Sequence, residues 1–158
     1  MPAADFSQGI EINVADFKEM IQQVVFAAST DDARPILTGV LFNIQEDRVT
    51  LAAADGFRLS VRKGLLSSPS ARPIHAVIPA RALSELARVS GDGEQVIRMV
   101  MPSGRGQVIF RLDDVELVSQ LIEGTFPDYE QIIPRRCETR AVLSTSAFLK
   151  ACKQAEIF

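Results

Sequence analysis

Residues 33–61, ARPILTGVLFNIQEDRVTLAAADGFRLSV, carry the densest ordered pattern in the chain, and the spacing predicts three consecutive strands. From Leu37 to Ile44, Val40, Phe42 and Ile44 alternate with Thr38 and Asn43, which suggests one buried face; Glu46 and Asp47 supply a polar turn. From Val49 to Ala54 small residues follow Leu51. Asp55-Gly56 is the dipeptide favoured where a two-residue hairpin needs positive φ at both centres. The chain is then expected to reverse, with Phe57, Leu59 and Val61 on one face and Arg58, Ser60 and Arg62 on the other, as in a half-buried antiparallel strand.

Before this stretch, a lead-in strand is expected around Gly9 to Val14. Val14, Phe17, Met20, Ile21, Val24, Val25 and Ala28 then recur at helical spacing, with Asn13 as a cap. A polar loop, Ser29 to Asp32, ends that helix. After it, the serine- and proline-rich segment Leu65 to Pro73 reads as a connector. Ile74 to Ile78 is a short strand, and Pro79 stands where a helix begins, because proline at the first helical position loses no hydrogen bond. Leu83, Leu86 and Ala87 give that helix its apolar face, and Ser90-Gly91-Asp92-Gly93 stops it. Three strands follow: Gln95 to Met101, Gln107 to Leu112 and Val115 to Ile122, joined by the turn-like residues 102–106 and 113–114.

One plan is therefore stated twice: strand, helix, three strands. Two such units, each too small to bury a face alone, are expected to pair antiparallel sheets and lay both helices on one side, which is an α+β class. Past Ile122, the proline-containing EGTFPDYEQIIPRRCETR has no clear period and reads as an extended linker. A third start follows. Leu143 suggests a strand, Ser144 or Ser146 a cap, and Phe148, Leu149, Cys152 and Ala155 one helical face. Because that plan stops at Phe158, the sequence reads as truncated.

The 158 residues have room for one ordinary domain with a proper core and hardly for two. An apolar fraction of 47% and a charged fraction of 23% indicate neither disorder nor a fibrous class. The formal charge of -3 argues against a small module that holds nucleic acid by net charge alone. Cys137 and Cys152 form no CxxC pair, and one histidine, His75, cannot build a metal site without several carboxylates. Free thiols and a soluble, cytoplasmic protein are expected, with neither a basic-then-apolar leader nor an apolar run approaching the roughly 18 residues of a membrane helix.

In this order and at these separations, RPILTGVLF (34–42), LAAADGFRLSV (51–61), VIPARALSEL (77–86) and LIEGTFPDYEQIIP (121–134) resemble the bacterial DNA polymerase III beta subunit, the sliding clamp. The resemblance is to its middle domain, taken with its linker as residues 1–136, while residues 137–158 resemble the opening of the third domain. It implies a DNA-clamp-like fold and a processivity factor without catalytic residues, metal or cofactor. In that family two subunits close head to tail into a homodimeric ring around duplex DNA. The ring is served by a clamp loader and captures peptides of DNA polymerase III and other partners that carry a clamp-binding motif. By position, the peptide pocket carries over to Leu37, Ala54, Gly56, Phe57, Arg58 and Leu59, and to Pro127, Gln131 and Ile132. Gln131 and Phe57 stand where better-known members have a basic residue and a histidine. DNA-facing roles carry over to Arg34 in the loop and to Arg81 and Arg88 on the second helix. A hairpin strand beside a proline-fixed linker is compatible with a groove for an extended or turned peptide.

An enzyme would have to use His75, the cysteines, the serines or the carboxylates, yet no nucleophile elbow, phosphate loop or metal spacing accompanies them. Asp31-Asp32 and Asp113-Asp114 lie at turns, where aspartate is expected for conformational reasons. The alternative reading is a stand-alone interaction module that retained one clamp domain and lost the ring.

Overall fold

Asn13 closes the first strand and opens the first helix: its backbone is extended and its side-chain oxygen accepts from the N–H of Asp16 at 3.1 Å. The computed structural model describes residues 6–7, 9–91 and 95–157 and divides the chain into two units, Met1–Pro127 and Asp128–Phe158. In the first, β1 (Ile10–Asn13) leads into α1 (Val14–Val24), which tightens into a 3₁₀ turn, Val25–Ala27. A second 3₁₀ turn, Pro35–Thr38, precedes β2 (Gly39–Gln45), β3 (Arg48–Ala54) and β4 (Leu59–Leu65). The plan then repeats with β5 (Ile74–Pro79), α2 (Ala80–Val89), β6 (Val96–Val100), β7 (Gln107–Leu112) and β8 (Val115–Gln120).

Within the first unit, the two strand-helix-three-strand repeats exchange their leading strands. One antiparallel sheet runs β4-β3-β2-β5 and the other β1-β6-β7-β8, so each sheet takes three strands from one repeat and the lead strand of the other. Element order in the sequence predicts the repeat but not this exchange, because pairing between residues as far apart as Gly39 and Pro79, or Ile10 and Met99, leaves no local signal. Both helices serve one core: Phe17, Met20, Ile21 and Val24 of α1 and Leu83, Leu86 and Ala87 of α2 pack with Val40, Phe42, Ile44 and Leu51 of one sheet and Ile97, Met99, Val108 and Phe110 of the other. Phe17 spans the join. Its ring meets Phe42 edge-on at 5.9 Å and Phe110 at 6.2 Å, one from each sheet. Burying such a side chain contributes up to about 3 kcal/mol, so one residue ties both sheets to α1.

Several expectations are corrected. Leu37 and Thr38 are not in β2: Pro35 presets a 3₁₀ turn in which the Leu37 N–H donates to the Arg34 carbonyl at 3.0 Å. Pro79 is not the first helical residue. It is still paired with Gly39 at the end of β5 and serves as an N-cap without a side-chain acceptor. Asp55-Gly56 is not the whole hairpin turn, since Ala54 pairs with Leu59 and four residues, 55–58, make the loop. Only Gly56 among them has positive φ, at 95°. The tight two-residue hairpins fall at Glu46-Asp47 and Asp113-Asp114, whose first residues have φ of 55° and 46°. The expected helix stop is seen at Ser90, whose N–H and hydroxyl both donate to the Leu86 carbonyl; Asp92 and Gly93 lie outside the described residues.

The faces of β4 are also the reverse of a simple core-facing alternation. Ser60, Arg62 and Gly64 pair with Ala53, Leu51 and Val49, which belong to the core, so they face the helices. Ser60 Oγ donates to the Gln23 carbonyl at 2.6 Å, and Met20 Sδ occupies the space a Gly64 side chain would take. Leu59 and Val61 point to the opposite side, and Phe57 lies outside the strand altogether.

The second unit holds a 3₁₀ turn, Tyr129–Gln131, and α3 (Thr145–Ala155). Ser144 caps α3 by accepting from the Ala147 N–H at 3.5 Å. Leu143 is in no strand: it pairs with no other described residue, and an isolated strand has no ladder to hold it.

Candidate functional site

Directly paired residues of antiparallel strands share a face. Val61, Ala52, Leu41 and Val77 therefore form an apolar row across β4, β3, β2 and β5 on the face turned away from the helices, with Leu59 and Ala54 beside it. Leu41, Ala52 and Val77 are nevertheless buried. The chain leaving β8 covers that end of the row. The Ile122 N–H donates to the Val77 carbonyl at 2.8 Å, and Ile122 Cδ1 lies 2.8 Å from where a Gly39 Cβ would stand. Gly124, at φ 126°, brings the backbone close to Ile36, and Phe126 is buried. Ala54, Leu59 and Val61, at the uncovered end, remain half-buried. The result is a shallow apolar shelf bounded by a crossing segment on one side and by the loop 55–58 on the other.

That loop is fixed by Asp55. Its Oδ1 accepts from the N–H groups of Phe57 at 3.0 Å and Arg58 at 3.1 Å, while Oδ2 accepts from Arg58 Nε at 2.9 Å. The Phe57 N–H is the first cause, with Arg58 adding to it, of a carboxyl held below its ordinary value. The ring of Phe57 stands 97% exposed at the tip. Arg58 also reaches across to the exposed Phe26, its guanidinium carbon 5.9 Å from the ring centroid.

Leu37, in the 3₁₀ turn before β2, is buried to 9% exposure, with its carbonyl accepting from Ser29 N–H at 2.8 Å. Arg34, expected to face DNA, pairs with Asp31 at 3.2 Å, and its guanidinium lies 3.3 Å from where a Gly56 Cβ would be. Ala54, Gly56, Arg58 and Leu59 thus lie in or beside one loop, and Arg34 meets it at Gly56. Pro127 is exposed at the end of the first unit. Gln131 and Ile132 lie in the second unit, where Gln131 Nε2 donates to Asp128 Oδ2 at 2.8 Å and Ile132 is 68% exposed.

On the helix face, Arg81 and Arg88 are both exposed, and Arg88 pairs with Glu85 at 2.7 Å. Lys18 Nζ donates to the Ser90 carbonyl at 3.3 Å, which ties α1 to the end of α2. Between the helices lies a groove of about 350 Å³ lined by Lys18, Ile21, Gln22, Val25, Ser84, Ala87 and Arg88. Acidic Asp16, Glu19 and Glu85 balance the basic residues of these helices, so the face carries little net field. No group of three or more metal-ligating side chains occurs among the described residues. No helix among them is long and apolar enough to cross a membrane.

Residue reading alone gives Gly39, Ile36 and Ile122 no part in a site and takes Asp55 only as a turn residue, yet they shape the shelf and its rim. A signal existed for Gly39, since a glycine inside a strand pattern marks close approach of another segment. None existed for Ile122, whose role comes from where the chain goes after β8.

Comparison with known proteins bears on the family and the fold. Residues 11–128 match the family model described as DNA polymerase III beta subunit, central domain. A curated relative, the beta sliding clamp of Bacillus subtilis (strain 168), is 33% identical over 157 residues, and that of Staphylococcus aureus is 34% identical over 157. Each alignment covers 99% of this chain, which spans 41% of the length of those relatives. Among solved structures, the DNA polymerase sliding clamp from Bacillus subtilis superposes with a TM-score of 0.92 at 34% identity, covering 98% of this chain and 40% of that one. The beta subunit from DNA polymerase of Streptococcus pyogenes gives 0.88 at 25% identity, covering 98% and 41%.

Proposed function

Because the chain belongs to the DNA polymerase III beta-subunit family, whose central domain it contains, we propose that it serves as part of a sliding clamp that tethers a replicative polymerase to DNA. The working assembly is a head-to-tail homodimeric ring, loaded by a clamp loader, that encircles duplex DNA in the cytoplasm and catalyses nothing. Residues 1–136 act as its middle domain with linker, and residues 137–158 as the start of a third.

Within this role, the outer face of β4-β3-β2-β5 docks clamp-binding peptides of DNA polymerase III and of repair partners. The observation that carries this is the apolar shelf of Leu59, Ala54 and Val61, left half open on the face opposite the helices and edged by the exposed Phe57. An extended or turned peptide laid there gains apolar contact from the shelf and backbone partners from the rim. Arg58 and Gly56 line that rim; for Leu37, Pro127, Gln131 and Ile132 a part in peptide binding rests on the family resemblance. Arg34, Arg81 and Arg88 add weak, sequence-independent attraction to phosphates, which permits sliding.

Titration of a fluorescein-labelled clamp-binding peptide of a replicative polymerase against the chain and its Leu59→Asp variant tests the docking site. A charge on the shelf forfeits the apolar contact of one side chain, roughly 2 kcal/mol, so affinity falls about thirtyfold. Equal binding by both proteins would put the peptide elsewhere.

A further inference from the structure

We propose that Asp55 is the positioning residue of the peptide shelf: one carboxylate holds the 55–58 loop in its binding conformation before any partner arrives. The proposal rests on the docking reading above. Its basis is a division of labour between the two carboxylate oxygens. Oδ1 gathers two successive backbone N–H groups, at 3.0 and 3.1 Å, and so fixes the path of the chain through Phe57 and Arg58. Oδ2 holds Arg58 Nε at 2.9 Å, which sets the direction of the guanidinium and leaves its terminal nitrogens to carry the remaining N–H donors.

The backbone of Asp55 is engaged as well, its N–H donating to the Arg58 carbonyl at 3.3 Å. Although it sits in a surface loop, the side chain is only 18% exposed against 55% for Arg58, so the anchor is enclosed by the groups it holds. Among the described residues Phe57 stands almost wholly in solvent at the tip. Asp55 thus supplies four hydrogen bonds within the loop, three of them through its carboxylate.

A loop that must be ordered at the moment of binding lowers affinity by the fraction of time it is competent. If removal of the carboxylate leaves the loop competent about a tenth of the time, Asp55→Ala binds peptide about tenfold more weakly. Asp55→Asn keeps an amide oxygen in the place of Oδ1 and can still accept from both N–H groups, so it recovers most of the affinity, to within about threefold of the parent. This rescue separates positioning from a general loss of stability.

The experiment titrates the labelled polymerase peptide against the parent chain, Asp55→Ala, Asp55→Asn and Leu59→Asp, and records backbone amide exchange at Phe57 and Arg58 in each unliganded protein. Expected are fast exchange and weak binding in Asp55→Ala, with both restored by asparagine. Unchanged binding in Asp55→Ala, while Leu59→Asp weakens it about thirtyfold, overturns the positioning role and leaves the docking site standing. Binding unchanged in all variants overturns the docking site itself. Should Asp55→Ala fail to fold, the asparagine variant still decides: a loss beyond about tenfold with intact slow amides at Phe57 and Arg58 refutes positioning through the backbone.

Discussion

Gly39 and Gly64 offer a paired test of whether the segment after β8 is packed onto the outer sheet face. Each glycine sits in extended backbone of a strand, and an alanine at either position reduces the freedom of the unfolded chain, stabilising by about 0.4–1 kcal/mol where the native site accepts it. Their surroundings differ. A Cβ at Gly39 meets Val77 Cγ1 and stands 2.8 Å from Ile122 Cδ1 and 3.1 Å from the Ile78 carbonyl, a β-branched side chain, the crossing segment and fixed backbone of the paired strand. A Cβ at Gly64 meets chiefly Met20 Sδ at 2.7 Å, part of a long unbranched thioether that can turn aside. Overpacking against neighbours that cannot yield costs about 1–3 kcal/mol, so Gly39→Ala should be destabilised by a net of roughly 1–2 kcal/mol. Gly64→Ala should stay within roughly 0.5 kcal/mol of the parent. Urea unfolding reads this as a lowered midpoint at unchanged slope. Because Ile122 is the movable neighbour, hydrogen exchange at its amide, which donates to Val77, should quicken in Gly39→Ala alone. A Gly39→Ala protein as stable as the parent, with a protected Ile122 amide, would refute the packing of that segment on the sheet.

Acid should loosen the rim of the shelf. Asp55 and Asp31 both have carboxyls held below their ordinary value of 3.8, chiefly by the N–H groups of Phe57 and Ala33. Their contribution is thus complete above that value and is lost as pH falls through the lowered folded one; amide exchange at Phe57, referred to a core amide such as Phe42, should be flat above pH 5 and rise only below about pH 4. On the helix side, Lys18, Arg81 and Arg88 are matched by Asp16, Glu19 and Glu85, so the chain should not stay on nicked circular DNA by charge alone at about 0.15 M salt. Salt-resistant retention by the isolated chain would contradict that.

Element order was legible because each element carries its own punctuation. Asn13 caps a helix by a contact three residues away, and Glu46-Asp47 and Asp113-Asp114 close hairpins between adjacent strands. What was not legible is set at long range. The exchange of β1 and β5 between sheets depends on partners far along the chain, and the burial of Leu41 and Val77 on the outer face depends on Ile122 returning to cover them. The resemblance to sliding clamps brought forward Leu37, Ala54, Gly56, Arg58 and Leu59; of these, Ala54 and Leu59 pair at the base of the loop that holds Gly56 and Arg58. Taken alone, the residue pattern would have assigned Leu59 to the core.

That misassignment follows from a rule with a hidden premise. Alternation along a strand shows that two faces differ; it does not show which of them meets the core, and the apolar set is assumed to do so. In β4 the assumption fails at every step. Ser60 finds a backbone carbonyl on α1, Arg62 lies opposite core Leu51, and Gly64 makes room for Met20, so polar and small residues suffice on the side that the helices cover. Leu59 and Val61 are then free to face outward, where an apolar side chain in a monomeric domain has no folding reason to be. Exposed apolar surface in a contiguous row, rimmed by polar groups, is what a docking face requires. A strand whose alternation is inverted relative to its core is therefore itself a mark of such a face, and the inversion becomes readable once one neighbouring strand has fixed which side is inside: Val49, Leu51 and Ala53 of β3 do so here.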